Sequence, residues 1–74
     1  MNLAEVLRHL DAGCHVYSKN YHDGHGRKYW LTDVDHREIC ELKPIMFARI
    51  QKARKLKSER VISSDEAVLY EVET

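Results

Sequence analysis

The sequence predicts one small α+β domain, and three features predict it. Two segments carry apolar residues at helical spacing, and five segments show either β-forming side chains or the alternation of charged and apolar residues that is typical of strands. Their order is a helix, a three-stranded meander, a second helix and a terminal β-hairpin. Because 74 residues without repeats or linkers suffice for only one core, we expect residues 1–74 to form a single domain.

The first helix begins after Asn2, a favourable N-cap with the capping-box partner Glu5 three positions later. Gly13 supplies the left-handed conformation that ends many helices. Between these signals the apolar residues recur at helical spacing, at Leu3, Val6, Leu7 and Leu10. We therefore expect one side of this helix to face the core.

The next segments predict a meander of three strands. Residues Cys14 to Tyr21 and Lys28 to Val34 are rich in β-forming side chains, and the glycine-containing segment between them predicts a hairpin. A tight turn at Asp33 to Asp35 then leads into a third strand from Arg37 to Leu42.

Two further strands, Arg60 to Ser63 and Ala67 to Val72, complete the chain as a terminal hairpin, with the apolar residues Val68, Tyr70 and Val72 on one face. Because a small sheet is not stable alone, the two helices should cover one of its faces and leave the other partly in water.

The second helix lies in the stretch from Lys43 to Arg60, which combines an apolar stripe with concentrated positive charge. Pro44 suits a first helical turn, where its missing N–H has no intrahelical partner. On a helical projection one side is apolar, with Met46, Phe47, Ile50 and Ala53. The opposite side is basic, with Arg49, Lys52 and Lys55, and the basic run continues to Lys57 and Arg60.

This basic run supports the first hypothesis for function, a small non-enzymatic module that binds nucleic acid. The chain carries twelve basic and twelve acidic residues, so the clustering is not a by-product of a basic composition. The expected phosphate contacts come from Arg49, Lys52, Lys55, Lys57 and Arg60. The competing interpretation is an ordinary solvated helix surface.

Aromatic residues crowd the first hairpin and add Tyr21 and Trp30 to the candidate binding residues. Strand alternation places Tyr17 and Tyr21 on one face and separates Tyr29 from Trp30. They form either cross-strand packing pairs or a stacking platform for a partner, flanked by Lys19, Arg27 and Lys28.

The chain resembles small winged-helix-like proteins of bacterial chromosomes and prophages, one group of which is described as topoisomerase-inhibiting toxins. The resemblance is carried by Leu7, Leu10, Gly13, His15 to Tyr17, Phe47, Ile50, the basic Lys55-Leu56-Lys57 leading into Val61 and Ile62, and Tyr70. It implies that the second helix is a recognition element and the last hairpin a wing. This chain departs from the pattern by the His- and aromatic-rich hairpin from Tyr21 to Trp30.

The alternative hypothesis is a phage or mobile-element protein that binds and inhibits a host protein of nucleic-acid metabolism, such as a nuclease, polymerase or topoisomerase. The small size, the neutral charge, the hydrophobic hairpin and the resemblance favour it. A homodimer is a third option, because a short chain exposes much apolar surface and the strand from Val68 to Val72 could form a sheet edge.

Other classes of function find little support in the sequence. No apolar run approaches a membrane span and no signal peptide is evident, so we expect a cytoplasmic protein without a membrane partner. Cys14 and Cys40 are expected to be buried free thiols. His22-Asp23-Gly24-His25 is a turn with one pair of histidines, which falls short of a zinc motif. No cofactor, metal or catalytic residue is expected.

Overall fold

A computed structural model of the chain describes residues 1–21, 24, 26–60 and 67–73, apart from the side chain of Arg60. It contains two helices, α1 (Leu3–Asp11) and α2 (Pro44–Ala53), and five strands, β1 (His15–Tyr21), β2 (Gly26–Thr32), β3 (Glu38–Leu42), β4 (Leu56–Arg60) and β5 (Val68–Val72). The strands pair antiparallel in the order β3-β2-β1-β5-β4. The α+β class predicted from the sequence is confirmed.

The signals at both ends of α1 act as predicted. The side-chain oxygen of Asn2 accepts a hydrogen bond of 2.9 Å from the Glu5 backbone N–H, which satisfies a donor that the helix itself leaves unpaired. After the helix, Gly13 adopts a φ of 108°, a conformation that L side chains rarely take. Val6 and Leu10 are buried, so this helix packs its apolar side on the sheet.

Both helices pack on the same face of the sheet, as expected from the small size of the chain. The core joins residues of α1 and α2 to alternate residues of the strands, in a cluster of Val6, Leu10, Val16, Leu31, Leu42, Phe47 and Ile50. At its centre the Phe47 ring stacks on Tyr29, with 4.3 Å between ring centroids, and lies 4.8 Å from Tyr70. Among the described residues, no helix has both the length and the apolar character to cross a membrane.

The turn between β2 and β3 is held by Asp33. Its carboxylate accepts hydrogen bonds of 2.9 Å from the backbone N–H groups of Asp35 and Arg37. His36 takes a positive φ of 65° within this turn. These contacts set where β3 begins, at the outer side of β2.

Three predictions of position are corrected. The fourth strand spans Leu56–Arg60 rather than beginning at Arg60, because the backbone is already extended at Arg54, directly after α2; the predicted residues 61–63 lie outside the described part of the chain. Lys55 therefore follows the helix instead of belonging to it. Ala53, expected on the apolar side of α2, is exposed.

The predicted edge strand is also wrong. The sequence offers the strand from Val68 to Val72 as a possible edge of the sheet, where it could pair with a second copy. Instead β5 pairs with β1 on one side and with β4 on the other, so its backbone N–H and C=O groups are hydrogen-bonded to strands of the same chain. The outer strands of the described sheet are β3 and β4.

Candidate functional site

One face of the sheet is left uncovered by both helices, and we call it the open face. Strand alternation decides which side chains reach it. In β1 the side chains of Val16 and Ser18 point toward the helices and are fully buried, whereas Tyr17, Lys19 and Tyr21 alternate with them and are half-buried. The open face is therefore the surface on which the aromatic residues of the first hairpin meet solvent.

Three rings form an aromatic cluster on this face, defined as Tyr17, Tyr21 and Trp30. Trp30 stands directly opposite Tyr17 in the β1–β2 register. Its ring lies 5.9 Å from the ring of Tyr17 and 6.3 Å from that of Tyr21, the second contact being edge-on. Tyr29 takes the other face and stacks on Phe47, as the predicted alternation requires.

Two lysines face each other beside the aromatic cluster. Lys19 and Lys28 are directly opposed in the register of β1 and β2. Both ammonium groups lie over the same Tyr21 ring, at 5.4 and 5.5 Å from its centroid. We call Lys19 and Lys28 the lysine pair.

Arg27, predicted beside the same aromatic residues, is not part of this surface. Its guanidinium donates a 2.8 Å hydrogen bond to the hydroxyl of Ser18, which is fully buried on the helix side of the sheet.

Lys57 belongs to a second cluster of polar side chains on the open face. The Lys57 ammonium lies 3.0 Å from the Glu71 carboxylate, and this carboxylate also lies 3.3 Å from the imidazole of His15. The hydrogen bond from Lys57, aided by its charge and by His15, lowers the pKa of Glu71 below its ordinary value against an opposing effect of burial. The His15 ring stacks on His36 at 5.2 Å. Lys57 is thus neutralised within the chain.

The basic surface predicted along the second helix is divided by the fold. Arg49 and Lys52 are both exposed on α2. Lys55 lies beyond the helix, 3.8 Å from Glu73, and Lys57 projects on the opposite side of the sheet. The side chain of Arg60 lies outside the described residues. Only two of the five predicted basic residues are therefore brought together on α2.

The described residues hold no cluster of three or more histidine, cysteine or acidic side chains placed to bind a metal ion. The predicted histidine turn lies outside the described part of the chain, apart from Gly24. Cys14 and Cys40 are free and half-buried. Burial, with a smaller effect of Asp33, raises the pKa of the Cys14 thiol, which disfavours the reactive thiolate at neutral pH.

No family model, curated protein or solved structure matches this chain. The lysine pair was missed as a unit by sequence reasoning, which placed its members only as flanking residues. Counting equal numbers of residues outward from the glycine turn would have found it. Tyr21 pairs with Gly26 next to the turn, so two residues further out Lys19 pairs with Lys28.

Proposed function

We propose that this chain is a small non-enzymatic module that binds single-stranded nucleic acid on its open face. One observation carries the proposal: the lysine pair lies directly beside the aromatic cluster, on the sheet face that neither α1 nor α2 covers. Stacking surfaces for bases next to positive groups for phosphates are the two elements that single-strand binding requires. The expected cytoplasmic location belongs to this proposal, since nucleic-acid ligands are found there.

In this arrangement each side chain has a defined role. The rings of Trp30 and Tyr17 offer faces on which bases stack, and Lys19 and Lys28 contact the phosphates that follow. Because the chain is neutral overall, attraction at long range is weak and affinity depends on these local contacts. Two phosphate contacts on a single strand predict a slope of log affinity against log salt of about −1.4, from about −0.7 per contact.

The winged-helix-like interpretation proposes a different surface for the same class of ligand. There α2 is the recognition helix, β4 and β5 form the wing, and Arg49 and Lys52 contact the phosphates of a duplex. It is supported by the position of α2 immediately before the hairpin and by the exposure of both basic residues. The two surfaces lie on opposite sides of the sheet, so separate substitutions can test them.

The experiment is fluorescence polarisation with labelled single-stranded and duplex oligonucleotides of about twelve nucleotides. We expect single strands to bind, and Lys19→Gln/Lys28→Gln to weaken binding and remove most of the salt slope. Trp30→Ala should weaken binding by about tenfold to a hundredfold, from about 1 to 3 kcal/mol per stacked base. Arg49→Gln/Lys52→Gln is the matched control and should bind as the unmodified chain does.

Two results would contradict the proposal. Preference for duplex, lost in Arg49→Gln/Lys52→Gln, would favour the winged-helix-like surface. Absence of oligonucleotide binding at low salt would favour the alternative proposal, a phage-type inhibitor of a host protein, in which the aromatic cluster contacts a protein.

A further inference from the structure

The aromatic cluster belongs to a row of side chains that crosses the open face from one outer strand to the other. The strand pairings place five residues side by side, one from each strand: Glu41, Trp30, Tyr17, Leu69 and Glu59. The three central side chains are half-buried, and the two glutamates at the ends are exposed. The row is therefore an apolar strip that ends in a carboxylate on each side.

The charges around this row decide how a single strand lies on it. The carboxylates of Glu41 and Glu59 repel phosphates at the two ends, whereas the lysine pair attracts them on the side toward the hairpin turn. The bases therefore lie over the row and the phosphates beside it. Because neighbouring strands are only about 4.8 Å apart, a base stacked on Trp30 brings one edge within reach of the Glu41 carboxylate.

Glu41 is available for such a contact. Its side chain forms no ion pair or hydrogen bond with another described residue. An ionised carboxylate is an acceptor only, and its two oxygens can accept two parallel N–H groups at once. The base that matches it is one with two neighbouring N–H donors on a single edge.

Guanine is the DNA base that carries such an edge. Its N1–H and its 2-amino group point the same way, and in a single strand this edge is not occupied by base pairing. Cytosine and adenine place a ring-nitrogen acceptor beside the amino group, and thymine places a carbonyl oxygen on each side of its one N–H. In these bases an acceptor faces the carboxylate, which is unfavourable.

We propose that Glu41 makes the open face selective for guanine, by accepting hydrogen bonds from the N1–H and 2-amino groups of a guanine stacked on Trp30. This inference rests on the proposed function, because it concerns which single strands the open face prefers. The lysine pair holds any strand by its phosphates, and Glu41 distinguishes the base.

The test compares three single strands of about twelve nucleotides by fluorescence polarisation, in lithium salt to prevent guanine quadruplexes. One alternates guanine and thymine, the second has inosine in place of every guanine, and the third is thymine alone. Inosine is also a purine but lacks the 2-amino group, so comparison of the first two strands separates hydrogen bonding from stacking. We expect the guanine strand to bind at least about fivefold more tightly than the inosine strand, and the thymine strand to bind most weakly.

Glu41→Gln should bring the ratio of guanine to inosine affinity to about one, because the glutamine amide offers one acceptor oxygen instead of two. Glu38→Gln is the matched control. It removes the same charge from the same strand, but its position lies opposite Thr32 rather than Trp30, so the ratio should not change.

The results separate this inference from the function on which it rests. Equal affinities for the guanine and inosine strands, a preference that Glu41→Gln retains, or one that Glu38→Gln also abolishes would overturn the role of Glu41 alone. Failure of all three strands to bind at low salt would overturn the proposed function together with it.

Discussion

Phe47→Ala should remove a large part of the stability of the domain. Phe47 is only 5% exposed and lies between the rings of Tyr29 and Tyr70, at 4.3 and 4.8 Å. Truncating a buried phenylalanine costs about 3 to 5 kcal/mol, and the two ring contacts place this position toward the upper end of that range. A chain of this length has a free energy of unfolding of about 4 to 11 kcal/mol, at about 0.05 to 0.15 kcal/mol per residue.

Urea denaturation followed by circular dichroism measures this loss. The free energy of unfolding of Phe47→Leu should fall between those of the unmodified chain and of Phe47→Ala, because leucine keeps apolar volume but loses the ring stacking. The control is Arg49→Glu/Lys52→Glu on the exposed side of the same helix, with an expected change within about 0.5 kcal/mol per substitution. The reasoning is refuted if Phe47→Ala costs less than about 1 kcal/mol, or if the double charge reversal unfolds the protein equally.

Two further predictions concern the ends of the helices. Asn2→Ala should lower the free energy of unfolding by about 1 kcal/mol in urea, because the Glu5 backbone N–H loses its acceptor; no change would remove the capping role. The hydrogen bond from Arg54 lowers the pKa of Asp11 below its ordinary 3.8, so the folded state binds a proton less readily than the unfolded state. The stabilisation is therefore complete well above pH 3.8 and is lost as the pH falls through the lowered pKa. Thermal melts should show Arg54→Gln less stable than the unmodified chain at neutral pH and no different in acid, whereas a constant difference would contradict the assignment.

Local signals predicted the elements well, because they act between residues close in the chain. The cap at Asn2, the left-handed Gly13 and the alternation through Tyr17 and Trp30 all appear where the sequence places them. The insertion of β5 between β1 and β4 depends on pairings between distant segments, such as Val16 with Tyr70, for which a single sequence carries no local signal.

The division of the basic residues has a more local cause. A helix and a strand distribute side chains with different periods, so the end of α2 at Ala53 decides where each later residue points. If the helix continued to Lys55, that side chain would lie on the same side of the helix as Arg49 and Lys52. Once β4 begins at Leu56, Lys57 instead turns to the open face and meets Glu71.

The fluorescence of Trp30 gives the most direct test of nucleic-acid binding on the open face, because it is the only tryptophan in the chain and belongs to the aromatic cluster. Titration with an unlabelled single strand of about twelve nucleotides should quench this fluorescence to saturation, as a base stacks on the ring. Lys19→Gln/Lys28→Gln should shift the titration to higher concentration, whereas Arg49→Gln/Lys52→Gln should leave it unchanged. Binding by polarisation without any change in Trp30 emission, or a shift seen only in the α2 variant, would place the ligand elsewhere and contradict the account.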